Sequence, residues 1–488
     1  MYISMSRMIG YVLAIVGTAL FAPFAVALAY GEQRATIAFV VPMAVSWVVA
    51  FAFWMYRHAE KRQLGVLDAF TLVGAVWVAI CLFGSVPFCL CGSFPGITEA
   101  VFESVSGFTT TGASVIADVE ALPKSVNLWR CMTHWLGGMG VIALVVALMP
   151  LLGIGGFKLF KAETTGPNKG KITSRMSTTA KVLWFIYFGM TLVQTVLLRF
   201  SGLDWFDAVC HSFSTLGTGG FSTRNASIGS FGNAAAEWIC IAFMLLAAVN
   251  FSLYFHAFTG KLREIFRDSE FRAYLCIVTI AVTSVTVLVL PQSEAFAEAL
   301  RHSAFQVASL LSTTGFMTKD YVQWAPAAQA VLLALFFIGG CSGSTGGGMK
   351  VIRWMVLGKQ LCNEFKRLLH PHEIFTMRIN GLSGREGVVP TVAAFLFTYL
   401  VVVFFTAMAG AFGGLGIVEA FTAALSMVGN VGPAFGELGP TSNYADLPAA
   451  VKWCYCFAML AGRLELYTML ILVGRMLPLF SRRRSDPQ

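Results

Sequence analysis

Long uncharged stretches alternate along the chain with short segments that hold nearly all of its charge. Between Asp, Glu, Lys and Arg, the apolar runs cover 8–31, 35–56, 69–98, 131–157, 182–198, 238–260, 273–293, 321–349 and 387–418. A tenth, 453–474, is interrupted only by Arg463 and Glu465. A helix needs about 20 apolar residues to cross the hydrocarbon layer. The pattern therefore predicts an all-α integral membrane protein of about ten transmembrane helices. The strands of a membrane barrel are shorter and alternate polar with apolar positions, which excludes that fold.

Composition agrees: 57% of the 488 residues are hydrophobic and 12% are charged. Soluble domains average about 25% charged residues, so an ordinary cytosolic enzyme is excluded. Arg7 and the Ala27-Leu28-Ala29 triplet give the first run the look of a secretory signal. It is too long for one, and another run follows almost directly, so it is read as the first span. The 11 Cys, among them Cys89-x-Cys91 and Cys454-x-Cys456, lie mostly within or beside apolar runs and read as packing residues rather than a metal site or disulfide framework.

The net charge of +9 matters through its placement. Basic clusters at 57–62, 158–181, 261–272, 350–385 and 475–484 all fall on one side of a ten-span arrangement. The positive-inside rule makes that side cytoplasmic and puts both termini there. The clusters flank spans and carry few aromatics, so orientation explains them and a nucleic-acid partner is not needed.

Between the runs, one motif recurs at a period of roughly 100 residues. Residues 99–113 align without gaps to 207–221, 302–316 and 419–433. Two columns are identical: Ser106, Ser214, Ser309 and Ser426, then Gly112, Gly220, Gly315 and Gly432. Each copy lies between two spans on the outward side, so each repeat reads as span, short re-entrant helix, Gly turn, span. Such a helix is too short to cross, and non-helical backbone at membrane depth is tolerated only where it is buried in protein or lines a cavity. Four turns on one axis supply a cavity. Rings of backbone carbonyls can replace the water of a monovalent cation, and Gly permits the positive φ that turns carbonyls inward. The candidate filter is therefore Thr110-Thr111-Gly112, Thr218-Gly219-Gly220, Thr313-Thr314-Gly315 and Asn430-Val431-Gly432.

The eighth run holds Gly339, Gly340, Gly343, Gly346, Gly347 and Gly348. Gly costs a helix about 1 kcal/mol per position relative to Ala, so this span must break. It lacks the Gly-Lys-Ser/Thr of a nucleotide-binding loop. The break is either a mobile gate or a static interruption. Arg463, with Glu465 two positions away and so on another helix face, must face protein or water. Glu103 fills a pore-helix column shared with His211, Gln306 and Ala423, either drawing cations inward or bonding to amides behind the filter. His134 and His256 lie in or beside spans and bear on proton coupling or, more simply, on packing.

The segment 102–112 (Phe-Glu-Ser-Val-Ser-Gly-Phe-Thr-Thr-Thr-Gly), the Gly-rich segment 339–350 and Leu460-Ala-Gly-Arg463 resemble the Trk/Ktr/HKT superfamily of potassium transporters, most of all its bacterial TrkH-type pore subunits. The resemblance implies two extra N-terminal spans (1–65) followed by four pseudo-symmetric repeats at 66–160, 161–265, 266–375 and 376–488. It implies a K+-selective filter, with Gly112 at the position where plant relatives that carry Na+ have Ser; Asn430-Val431-Gly432-Pro433 departs from the Thr-rich pattern. It further implies a gate of Gly339, Gly340, Gly343, Ser344, Thr345, Gly346, Gly347 and Lys350, with Arg463 as a barrier to cations below the filter. Also implied are K+ as the bound and transported ion without an organic cofactor, a TrkA-type cytoplasmic nucleotide-binding ring, a homodimer and a bacterial inner-membrane location. An H+- or Na+-coupled K+ symporter is the alternative. The repeats each begin and end on one side, unlike the inverted repeats of many coupled transporters, which favours a channel-like pore. No catalytic constellation points to an enzyme.

Overall fold

The computed structural model describes residues 2–55, 66–152, 169–258, 260–373, 378–379, 382–383 and 388–476. The basic stretches 57–62, 158–168 and 482–484 lie outside them. Among the described residues, six helices are long and apolar enough to cross a membrane: Met8–Tyr30, Gln33–Ala52, Leu67–Cys91, Ala180–Phe200, Ser269–Gln292 and Val388–Phe412. A bent pair, Ala234–Ala247 and Phe251–Ala257, makes a seventh if counted as one span. The 29-residue helix Lys124–Leu152 follows the fourth apolar run. Strand pairing among the described residues is limited to Arg378–Ile379 against Leu382–Ser383, antiparallel. The fold is all-helical, as the apolar pattern predicts.

The long helices wear their apolar residues outward. Phe397, Phe404, Phe405 and Phe412 are 60–86% exposed on the helix Val388–Phe412, an arrangement that water would penalise and hydrocarbon does not. The four short helices do the reverse. Ile97–Phe108, Trp205–Gly217, Phe296–Leu311 and Ile417–Gly429 have 12, 13, 16 and 13 residues. At 1.5 Å per residue none spans a bilayer. From Ala100 to Phe108 every residue of the first is buried, polar ones included.

Each short helix packs between the two long segments of its own repeat and is also touched by the second long segment of the preceding one. Lys124–Leu152 reaches Trp205–Gly217, Ala234–Ala247 reaches Phe296–Leu311, Pro326–Phe336 reaches Ile417–Gly429, and Ala449–Arg463 returns to Ile97–Phe108. The chain thereby closes a ring.

The second long segment is broken in repeats two, three and four. The third break, between Phe336 and Val351, is the one the glycines predict. The other two correct the reading of 238–260 and 453–474 as continuous spans. In the second repeat the axis turns by 97° between Ala247 and Phe251, where the Asn250 side chain accepts from Ser252 N at 2.9 Å and so starts a new helix. In the fourth, the helix ends at Arg463, and Glu465 and Leu466 take φ of 59° and 56° before Tyr467–Met476 begins. Arg463 is therefore a helix C-terminal residue, not a mid-helix one.

Candidate functional site

Each short helix ends in the same backbone turn. Thr110, Thr218, Thr313 and Asn430 have φ of 54°, 56°, 59° and 54°, and Gly112, Gly220, Gly315 and Gly432 have φ of 82°, 83°, 80° and 103°. The residue between the two, Thr111, Gly219, Thr314 or Val431, donates its amide to the carbonyl of the invariant Ser column at 2.8–3.0 Å. This left-handed cap stops the helix and redirects the chain.

The turns meet. A Cβ added to Gly112 would fall on the carbonyl oxygen of Gly219, one on Gly220 on that of Thr314, one on Gly315 on that of Val431, and one on Gly432 on that of Thr111. Backbone thus faces backbone at all four seams, in chain order, with no room for a side chain. A cavity of about 130 Å³ above this ring touches all four glycines. A larger apolar one, about 540 Å³ at Trp135, Trp184 and Phe185, opens among exposed aromatics away from the ring.

Some side chains around the ring are engaged behind it. Thr111 and Thr314 hydroxyls bond to Thr109 and Ser312 at 2.8 and 2.7 Å. In the fourth segment the Asn430 amide donates to Thr111 Oγ1 at 3.0 Å and to the Met459 carbonyl at 2.9 Å. Glu103 is fully buried and ion-paired to Arg130 at 2.8 Å, and it also accepts from Val115 N at 3.0 Å. Of the two roles open to it, it makes the bond to a backbone amide behind the candidate filter. At the outer surface Asn225 donates to Asp118 at 2.8 Å, which holds that carboxyl below its ordinary range. His134 stacks on Phe221 at 4.1 Å and packs against Gly219, while His256 pairs with Glu264 at 3.3 Å.

On the other side of the ring lies the Gly-rich loop. Its neck is closed by Gly339 N to the Met349 carbonyl and Val351 N to that of Gly340, at 2.9 and 3.2 Å. The helix break of the second repeat supplies its dock. Cys341 N donates to the Ala248 carbonyl at 2.8 Å, Thr345 Oγ1 to that of Ala247 at 3.1 Å, and Phe251 N to that of Gly343 at 3.1 Å. The loop satisfies carbonyls that the kinked helix leaves open. Its tip touches two turns of the ring: Gly347 N donates to Thr313 Oγ1 at 2.6 Å, and Gly347 lies against Asn430 and the Gly429 carbonyl.

Arg463, 5% exposed, donates to the Thr345 carbonyl at 2.7 Å and to that of Gly137 at 3.4 Å. Its recorded bonds go to backbone, not to a carboxylate. Glu465 pairs with Arg353 instead. Lys350 donates to the Gly346 carbonyl. The expected gate residues Gly339, Gly340, Gly343, Ser344, Thr345, Gly346, Gly347, Lys350 and Arg463 are thus one contiguous cluster beneath the candidate filter. Sequence reasoning missed Glu270, whose Oε1 accepts from Ser342 N at 2.7 Å and Ile352 N at 3.1 Å, bridging both arms of the loop. It also missed Arg130, for which the only signal was a buried Glu103 in want of a counter-charge. Among the described residues no three His, Cys, Asp or Glu side chains converge as a metal site.

Residues 33–480 match the family model described as TrkH, cation transport protein. The chain is 40% identical over 472 residues to the Trk system potassium uptake protein TrkH of Halomonas elongata, covering 96% of this chain and 97% of that one. It is 36% identical over 476 residues to TrkH of Escherichia coli, covering 96% and 98%. The crystal structure of the potassium transporter TrkH from Vibrio parahaemolyticus superposes with a TM-score of 0.89 at 36% identity, covering 99% of this chain and all of that one. These are transporters, not enzymes, and the chain belongs to the TrkH family of cation transport proteins.

Proposed function

We propose that this protein takes up K+ across a bacterial inner membrane through a filter of backbone carbonyls. The observation that carries this reading is the closed ring in which each of Gly112, Gly220, Gly315 and Gly432 abuts a carbonyl of the next segment. A dehydrated cation on that axis meets carbonyl oxygens from every side, in place of its water. The four short helices end at the ring, so their negative dipole ends add to the attraction. The names of the relatives supply the ion: potassium uptake. The filter residues are Thr110, Thr111, Gly112, Thr218, Gly219, Gly220, Thr313, Thr314, Gly315, Asn430, Val431 and Gly432.

The Gly-rich loop is the gate in this reading. It touches Thr313 and Asn430 from below, and Arg463, bonded to Thr345, sets a positive charge beside it. Moving the loop breaks the hydrogen bonds that dock it on Ala247, Ala248 and Thr313, the step a cytoplasmic partner would drive. A TrkA-type nucleotide-binding ring is that partner, the protein works as a homodimer, and both termini face the cytoplasm, a reading the positions of the basic clusters support.

The test is ⁸⁶Rb+ uptake into liposomes holding the purified chain alone, with K+ and Na+ as competitors and a pH or Na+ gradient imposed or collapsed. Competition by K+ but not Na+, indifferent to either gradient, is expected. Uptake that needs one of the gradients replaces the passive pore with a coupled symporter. Uptake competed equally by both ions refutes the filter.

A further inference from the structure

Contacts behind the four candidate filter segments are not fourfold, and those at the seam between the first and the second run through a buried ion pair. His211 and Gln306 each reach the irregular stretch that follows their own segment, at Ser222 Oγ (2.9 Å) and the Lys319 carbonyl (3.0 Å). Ala423 has no polar side-chain atom, and the fourth segment is held by Tyr444, whose hydroxyl donates to the Gly432 carbonyl at 2.9 Å. Glu103 does what His211 and Gln306 do and then more. Its carboxylate accepts from Val115 N at 3.0 Å and from Ser114 Oγ at 3.0 and 3.2 Å, both just past Gly112.

The same carboxylate accepts from Arg130 Nε at 2.8 Å, and Arg130 carries the link across to the second segment. Arg130 Nη1 donates to the Ser222 carbonyl at 3.2 Å and to Asn127 Oδ1 at 3.0 Å, while Nη2 donates to Ser114 Oγ at 3.3 Å. The guanidinium lies over the Phe221 ring, 4.3 Å from its centre. Phe221 and Ser222 directly follow Gly220. Both charged side chains are at most 1% exposed.

We propose that Glu103 and Arg130 are a positioning pair that fixes the separation of the first and second filter segments and thereby sets the preference for K+ over Na+. The proposal rests on the filter reading above. A carbonyl ring rejects a smaller ion only while its scaffold resists contraction. A buried, fully bonded ionic network is stiffer than a neutral tether, because each bond is charge-assisted and unscreened. The planar fork of Arg bonds both segments at once, which the single ammonium of Lys cannot do. Neither group touches the ion; both act through the backbone.

The test measures K+ and Na+ competition against ⁸⁶Rb+ uptake by the full chain in liposomes, for Glu103→Gln, Arg130→Lys and Ser114→Ala, with Gly112→Ser as the filter control. Glu103→Gln and Arg130→Lys are expected to lower the K+/Na+ ratio by about tenfold while uptake persists, and Ser114→Ala by about threefold. A merely structural role would change the amount of folded protein and all fluxes together, leaving the ratio alone. Ratios within about twofold of the parent, in variants with a parent-like size-exclusion profile, overturn the proposal. If Glu103→Gln does not fold, the other two decide, since neither leaves a buried charge without a counter-charge. A shift in Gly112→Ser with none in the three variants refutes the pair alone. No shift in any of the four refutes the filter reading as well.

Discussion

Replacing Gly220 with Ala tests the ring at one carbonyl. The new Cβ would lie 2.1 Å from the Thr314 carbonyl oxygen, and φ is +83°. The backbone strain alone costs roughly 1–2 kcal/mol. Relief of the clash is restricted, because Thr314 N is bonded to the Ser309 carbonyl at 2.8 Å and its hydroxyl to Ser312 at 2.7 Å. The peptide that carries the carbonyl is held more weakly, by a 3.4 Å bond from Gly315 N to the Ser309 carbonyl, and its rotation takes the oxygen out of the ring. An interaction between a neutral group and a charge contributes about 1.5–3 kcal/mol net. At tenfold per 1.4 kcal/mol, loss of that one ligand weakens K+ competition roughly 10- to 150-fold. The assay is the K+ concentration that halves ⁸⁶Rb+ uptake into liposomes. Gly189→Ala, where a Cβ meets nothing within 4 Å, is the neutral control. A Gly220→Ala protein that is monodisperse and competes within about threefold of the parent refutes the argument that Thr314 is an ion ligand.

Other consequences are open to measurement. Deleting 342–347 should raise uptake by the chain alone several-fold, and unchanged uptake by a folded deletion would mean that the loop does not obstruct the pore. Glu270→Gln weakens the bridge to Ser342 N and Ile352 N; it should raise basal flux in the intact chain and add nothing to the loop deletion, which equal effects in both backgrounds would contradict. Arg130→Ala strands a buried carboxylate and should lower stability by about 3–5 kcal/mol, read as earlier loss of the folded peak on heating, whereas Glu103→Gln with Arg130→Met should cost less. Equal losses would argue against a buried ionic pair.

The spans were legible because hydrocarbon demands unbroken apolar length, and the ring glycines because no other residue fits where backbone meets backbone. The third helix break was legible for the same reason, through its density of Gly. The second and fourth were not. Between Ala247 and Phe251 there is no Gly or Pro, only Asn250 two positions before Ser252, a cap signal easily lost inside a 23-residue apolar run. After Arg463 the chain takes a left-handed turn at Glu465 and Leu466, residues that disfavour it; the pairing of Glu465 with Arg353 accompanies that turn and is invisible in sequence. Glu103 finds Arg130 at a separation of 27, and Glu270 finds Ser342 at 72. Neither distance belongs to a helical or strand period, so only the tertiary fold reveals these partners.

The ring closes through contacts of the fourth segment with the first, such as Asn430 with Thr111, 319 positions apart. That fixes when in the life of the chain the pore comes into being. While the polypeptide is being synthesised, three sides stand with an open flank, and Thr111 lacks the neighbour that completes its seam. Closure waits for the C-terminal quarter of the molecule and then requires helices to gather laterally, the kind of long-range event that is slow in folding. A chain that ends before residue 419 lacks the short helix and the Gly432 turn that complete the ring, and so has an open trough where the whole chain has a closed one.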